Sequence, residues 1–297
     1  MPKILSKNKT GILKKASLLH LSATTLADHM KSGNFRSLYR GQGIEFCDVR
    51  DYLLGDNIRS IDWNVTARMG RPFIKQYEED RELQVFFVLD RSSSMLLGSQ
   101  NKSRLECASE AAALLLLAAG KTGASVGAVF FDGKIRFSTS PKAGHEQQML
   151  ILSNLDELDE SIEEGSVLSN ALTGALKLLK KRSLVFVISD FRSTGWQKPL
   201  ARISAKNDVI ALRITDPLDS SIPNIGTVTF RDPENGTLVK LPSASKKFQS
   251  AWLEENRHRI DLWQEFCIRH GSYPLTLSTT EEPALVLNRF FAHRSSK

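Results

Sequence analysis

Val85-Phe86-Phe87-Val88-Leu89-Asp90-Arg91-Ser92-Ser93-Ser94 is the stretch from which the rest of this 297-residue chain is read. Its five consecutive apolar residues, rich in β-branched and aromatic side chains, suit a strand buried on both faces, as in a parallel sheet. The run stops abruptly at a carboxylate followed by hydroxyls. Ligands of open α/β sheets sit just outside the carboxyl ends of such strands, so Asp90, Ser92 and Ser94 stand where a site is expected. Alternate residues of an extended segment point the same way. Asp-x-Ser-x-Ser therefore aims one carboxylate and two hydroxyls at a common point, and hard oxygen donors of low total charge suit Mg²⁺. The same residues also fit a plainer role, with the serines capping a following helix and Asp90 an ordinary loop acid.

Two further apolar runs repeat the theme. Val126 to Phe131 reads as a second buried strand, and Asp132-Gly133 as a turn into an edge strand at Ile135-Arg136-Phe137-Ser138. Leu184 to Ile188 reads as a third buried strand, running through Ser189 to the acid Asp190. Val209 to Ile214 forms another strand, ended by Asp216-Pro217. Helices fit between them. Ser103-Arg104-Leu105-Glu106 has capping-box spacing, with an apolar stripe through Leu105, Ala108, Ala112, Leu115 and Leu116, and Gly120 is a natural stop. A helix is also expected around His145 to Leu158. It leads into the acidic loop Asp156 to Glu164, and then to a helix from about Leu168 that ends in Lys180-Lys181-Arg182, favourable at the negative end of a helix dipole. Thr227 to Phe230 and Leu238-Val239, around Asn235-Gly236, read as a hairpin. Helices near Phe248 to His270 and Pro283 to His293 close the chain.

Composition limits the function classes. Hydrophobic residues make up 41% and charged residues 25%, an ordinary globular profile. The longest aliphatic run, Ala111 to Ala119, is too short to span a bilayer, and the first residues lack the apolar core of a signal peptide. Cys47, Cys107 and Cys267 fit neither a disulfide framework nor a zinc site, so the cytosol is the expected compartment. His258, His270 and His293 have no ligand spacing. Gly123-Ala124-Ser125-Val126-Gly127 matches a nucleophile-elbow pattern, but its serine precedes a strand instead of following one, so Ser125 is not a catalytic candidate. The formal charge of +7 is spread, with short clusters at Lys14-Lys15 and Lys180-Lys181-Arg182 and no basic-aromatic module. It reads as solubility or weak attraction to an acidic partner, with no nucleic acid implied.

Before the first buried strand the pattern changes. A helix from about Gly11 to Met30 and a glycine-rich loop at Gly33 to Gly43 lead into Ile44 to Arg68, which interleaves opposite charges with aromatics and has no clean period of 2 or 3.6. The reading is an irregular segment whose charges must be satisfied by specific pairs. Asp56, Arg59, Asp62 and Arg68 are expected to form an ion-pair clamp, and Trp63 and Tyr52 to be packing residues.

These motifs resemble known families. Asp90-x-Ser92-x-Ser94 resembles the first motif of the metal-ion-dependent adhesion site (MIDAS) of von Willebrand factor A-type domains. The pattern carried by Glu45, Arg50, Gly55, Asp56, Arg59, Asp62, Trp63 and Arg68, with Glu78-Glu79-x-Arg81, resembles the signature of domain of unknown function 58. That family is bacterial and archaeal, and in it the signature directly precedes such a domain. The resemblance continues through Arg231-Asp232-Pro233 to Phe290-Phe291-Ala292-His293-Arg294. It implies a von Willebrand A-like α/β fold, with a doubly wound, mostly parallel sheet and helices on both faces. Residues 1–82 would be an N-terminal helix and signature segment packed on the core, and 83–297 the von Willebrand A-like domain with a C-terminal hairpin and helices. It also implies a metal set of Asp90, Ser92, Ser94, Ser166 and Asp190, holding Mg²⁺ with Mn²⁺ or Ca²⁺ as alternatives. Ser166 takes the place of the usual Thr and Val167 that of its polar neighbour, so Ser166 either donates to the metal or caps the helix at Leu168, and Ser169 is a nearby substitute. The function implied is a non-enzymatic protein-interaction module, an adaptor or chaperone-like partner of a MoxR-type AAA+ ATPase. The alternative is a metal-dependent phosphohydrolase with Asp90 as nucleophile. Such enzymes place a second acid two residues on, where this chain has Ser92.

Overall fold

The structure is a computed structural model, and it describes residues 19, 22–30, 40–53, 55–80, 83–99, 102–157, 165–221, 226–231 and 238–295. The chain divides into two compact units, residues 36–82 and the remainder. Most of the expected loop at Gly33 to Gly43, the turn Asn235-Gly236 and most of the acidic loop after Asp156 lie outside the described residues.

In the larger unit six strands form one sheet in the order β10-β7-β6-β3-β4-β5. They are β3 (Gln84–Asp90), β4 (Ser125–Phe131), β5 (Ile135–Lys142), β6 (Leu184–Ser189), β7 (Asp208–Thr215) and β10 (Tyr273–Ser278). Every neighbouring pair is parallel except β4 with β5, which makes β5 the antiparallel edge. β3 lies in the interior between β6 and β4, and its apolar run is buried throughout. Strand alternation sorts its side chains. Phe86 and Val88 join Val185, Val187 and Val209 in one core, closed by α5 (Leu168–Leu178), α6 (Gln197–Ser204) and Trp263 of α8 (Lys246–Arg269). Phe87 and Leu89 point the other way. Phe87 stacks on Phe186 at 5.5 Å, and Phe186 meets Phe291 of α9 (Pro283–Ser295) at 6.4 Å. α3 (Arg104–Lys121) runs over β3, β4, β6 and β7, with α4 (His145–Asp156) beside it. The fold is therefore the α/β arrangement expected, a mostly parallel sheet with helices on both faces.

The helix signals in the sequence are met with local corrections. α5 ends at Leu178, before Lys180-Lys181-Arg182, which follow the helix and do not form its last turn. Ser103 and Glu106 form a reciprocal capping box at the start of α3. The stop is not Gly120, which lies inside the helix, where an added Cβ would meet the Gln148 side chain at 2.2 Å. The chain turns instead at Gly123, with φ of +75°. β10 has no counterpart in the sequence reading. It carries Pro274, which a central strand would not accept but the sheet edge does. The hairpin β8 (Thr227–Arg231) with β9 (Leu238–Pro242) forms as expected. Of the expected helix from Gly11 to Met30, residues 19 and 22–30 are described and are helical (α1). Among the described residues no helix is long and apolar enough to cross a membrane.

The smaller unit departs from the irregular segment read from the sequence. Arg40 to Asp51 is a strand, β1, paired antiparallel with β2 (Phe73–Asp80). Two register shifts interrupt the pairing, and such bulges let a segment without a period of 2 still form a ladder. Between the strands lies α2 (Trp63–Met69), capped by the Asp62 carboxylate on the N–H groups of Asn64 and Val65 and ended at Gly70 in the left-handed region. The expected four-residue clamp divides. Asp56 pairs in bidentate fashion with Arg50, at 2.8 Å for both contacts. Arg50 and the Leu53 N–H hold the Asp56 carboxyl below the usual range. Asp62 is a helix cap. Arg59 and Arg68 are exposed and enter no ion pair among the described residues. Trp63 is 67% exposed, not a packing residue, while Tyr52 is partly buried. Gly55 takes φ of +108° in the turn before Asp56. The Glu45 side chain lies outside the described residues.

Candidate metal site

Asp90 is the last residue of β3 and Asp190 the first after β6, and because these strands are parallel neighbours both acids stand at the same edge. Asp90 is 1% exposed. One of its oxygens, Oδ1, accepts the Ser92 N–H at 3.0 Å, folding the backbone back over the carboxylate. The other, Oδ2, accepts the Ser189 hydroxyl at 2.6 Å and the Ser166 hydroxyl at 3.3 Å. Burial, and after it the charge of Asp190, push the Asp90 carboxyl up to about 7, against the opposing pull of its hydrogen bonds from Ser189 and Ser92.

The hydroxyls of Ser92 and Ser94 meet at 3.2 Å and both residues are buried, so the Asp-x-Ser-x-Ser side chains do converge. Ser166 is not the cap of α5. That position belongs to Val167, which makes no side-chain cap bond. The Ser166 loop is fixed by the Val167 N–H donating to the Asp132 carbonyl at 2.9 Å and by Gly165 at φ of +89°. Together these bring a hydroxyl from a third loop onto Asp90. Asp190 Oδ1 accepts the Arg192 N–H at 3.1 Å. Its Oδ2 is buried and, among the described residues, has no hydrogen-bond partner; the Arg192 Nε lies 3.7 Å from it.

Several residues that hold this edge were not legible as site residues. Ser189 bonds Asp90 and also accepts the Phe191 N–H at 3.0 Å. Phe191 has φ of +54°, costly for a bulky side chain. It is held by Trp196 at 5.4 Å and Trp263 at 5.5 Å, an aromatic clamp directly after Asp190. Asp219, in the short helix α7 (Pro217–Ser220), accepts from Arg104 at 2.6 Å and also from Arg192. Arg104 in turn donates to the Ser94 carbonyl at 3.1 Å. One carboxylate thus ties together the loop that carries Ser94 and the loop that carries Asp190. The only sequence signal for Ser189 was its place as the first polar residue of the third buried run. Arg104, Arg192 and Asp219 had none, because their meeting depends on sheet order.

The donor set fits a hard divalent ion. An orphaned buried carboxylate oxygen, two paired buried hydroxyls and a third hydroxyl offer oxygens with two carboxylates at most, the chemistry that Mg²⁺ accepts while keeping water. Among the described residues no three His, Cys, Asp or Glu side chains gather into a metal-holding group, so a thiolate- or imidazole-rich site is not what this edge resembles.

The family described as Protein of unknown function DUF58 matches residues 48–260. The chain is a DUF58 protein. Its relatives include Uncharacterized protein Rv1480 of Mycobacterium tuberculosis, 29% identical over 282 residues, which cover 93% of this chain and 87% of that one. Uncharacterized protein MAV169 of Mycobacterium avium is 30% identical over 152 residues, 50% of this DUF58 chain and 89% of its own. Solved structures similar to it include an aerotolerance-related membrane protein from Bacteroides fragilis, with TM-score 0.47 and 18% identity over 72% of this chain and 98% of that one. The SpRpn10 VWA domain has TM-score 0.41 and 11% identity, covering 71% and 95% respectively.

Proposed function

We propose that this DUF58 protein is a non-enzymatic, Mg²⁺-dependent protein-interaction module, with Asp90, Ser92, Ser94, Ser166 and Asp190 as its metal-holding residues. The observation that carries the reading is the meeting of the Ser166 and Ser189 hydroxyls on Asp90, next to the paired Ser92 and Ser94 hydroxyls, with the buried Asp190 Oδ2 left without a hydrogen bond among the described residues. A bound divalent cation supplies a Lewis-acid position that a carboxylate from a partner can complete. The chain's own part is to present the hydroxyls of Ser92, Ser94 and Ser166. Ser189 and the backbone N–H of Ser92 hold Asp90 in place, and Phe191 and Arg192 fix the direction of Asp190. No reaction is assigned to the site: a phosphohydrolase built on Asp90 needs an acid two residues on, and Ser92 stands there.

The partner proposed is a MoxR-type AAA+ ATPase, or a client bound with it, that supplies the carboxylate, as the family resemblance implies. Capture from native lysate tests this, comparing wild type with Asp90→Ala in Mg²⁺ and in EDTA. The expected result is recovery of the ATPase by wild type in Mg²⁺ alone. Equal recovery under all four conditions removes the metal from the mechanism.

A further inference from the structure

At the opposite end of the sheet a second feature has no role in that reading. A cavity of about 510 Å³ opens where α5 and α6 end, beside the residues that lead into β6 and β7. Its apolar lining is Leu176, Leu179 and Ala205, and its charged lining is Lys180, Lys181, Arg182, Arg202 and Lys206. Arg182 is neutralised by a bidentate pair with Asp208, at 3.1 and 2.9 Å. Lys180, Lys181, Arg202 and Lys206 are exposed and form no ion pair among the described residues.

Basic residues after a helix commonly do no more than complement its dipole. Here the two helix ends together supply about one negative charge, roughly half a unit each, against four unpaired positive ones. The excess is large enough to draw an anion into the cavity. The cavity lies within the usual range for ligand clefts, roughly 300–1,000 Å³, so it suits a few side chains, not a whole domain.

The lining selects among anions. Its apolar residues are aliphatic, with no aromatic ring on which a base could stack, which disfavours nucleotides and single-stranded nucleic acid. Phosphate sites in α/β proteins use the N–H groups at helix N-termini, whereas here helix C-termini face the cavity and their carbonyls repel a closely held oxyanion. Carboxylates on flexible side chains reach lysine ammonium groups without approaching that backbone.

We propose that this cavity binds an acidic segment of a protein partner, with Asp or Glu side chains on Lys180, Lys181, Arg202 and Lys206 and one aliphatic residue against Leu176, Leu179 and Ala205. The six residues of β6, at about 3.3 Å each, place it roughly 20 Å from the carboxyl-end site. It is therefore a separate contact, with no need of a metal.

Fluorescence anisotropy of a labelled peptide alternating Glu and Leu tests the assignment, in EDTA so that the carboxyl-end site takes no part. The expected result is binding that weakens about tenfold in the triple variant Lys180→Gln, Lys181→Gln, Lys206→Gln, and that is absent for the same peptide with Gln in place of Glu. Ala205→Trp, which fills the cavity without altering its charge, is expected to weaken binding to a similar degree. Thermal melts confirm that both variants are folded. Unchanged binding in the triple variant overturns the proposal. So does full binding by Ala205→Trp, which reduces the effect to diffuse attraction, and so does displacement of the peptide by ATP or a single-stranded oligonucleotide at lower concentration than by unlabelled peptide.

Discussion

The two ends of the central sheet handle charge in opposite ways. At the carboxyl end Asp90, Asp190 and Asp219 are buried, and each is engaged by hydroxyls, backbone N–H groups or arginines. At the amino end Lys180, Lys181, Arg202 and Lys206 stand in solvent without carboxylate partners among the described residues. A buried charge stabilises or destabilises the fold according to whether it is matched. An exposed one is hydrated at little cost and acts mainly on association. Changes at the carboxyl end should therefore appear in folding stability and in its coupling to metal and pH, and changes at the amino end in binding alone.

The largest expected effect is at Asp219. Asp219→Ala leaves Arg104 buried without its carboxylate and loosens both loops it joins. It is expected to cost about 3–5 kcal/mol in chemical denaturation. The triple lysine variant should stay within about 0.5 kcal/mol of wild type in the same experiment. Equal losses would erase the contrast between the two ends.

A pH series sharpens the contrast further. Asp90 is held protonated up to about pH 7 in the folded, metal-free protein but ionises near its ordinary value of 3.8 when unfolded. Between those values the folded state binds the extra proton, so metal-free stability should fall as pH rises from about 4 to about 7, at up to about 1.4 kcal/mol per pH unit. Asp90→Asn should flatten that slope, and Mg²⁺ should stabilise wild type more at pH 8 than at pH 5. A wild-type slope that Asn leaves unchanged would assign the pH dependence to other groups.

How much of this was legible follows from the distance over which each signal acts. The apolar runs of β3, β4, β6 and β7 announced themselves because burial on both faces requires continuous hydrophobicity, and their terminal acids came with them. Asp90, Ser92 and Ser94 share one turn, so their convergence was written in their spacing. Ser166 was ambiguous because the same hydroxyl suits a helix cap, and only the Asp132 contact that steers its loop decides. Asp219 lies 115 positions from Arg104 in sequence, and no local pattern links them. In the smaller unit β1 pairs across bulges, which erase the alternation that marks a strand in sequence. Residue type alone suggests packing for Trp63, but in α2 it faces solvent.

Smaller effects are expected closer to local structure. Ser166→Ala should weaken Mg²⁺ binding about tenfold, and Ser166→Thr should retain it, since the hydroxyl is the group in use. Ser103→Ala removes the cap of α3 and should cost about 1 kcal/mol, with little change in metal affinity because Arg104 keeps its partners.

Calorimetric titration of Mg²⁺ into the purified protein near pH 8, beside the double variant Ser92→Ala, Ser94→Ala, tests the central claim most directly. The account predicts saturable binding of one ion per chain by wild type, lost in the double variant while its thermal melt stays cooperative. Absence of binding by folded wild type, or identical isotherms for the two proteins, would contradict it.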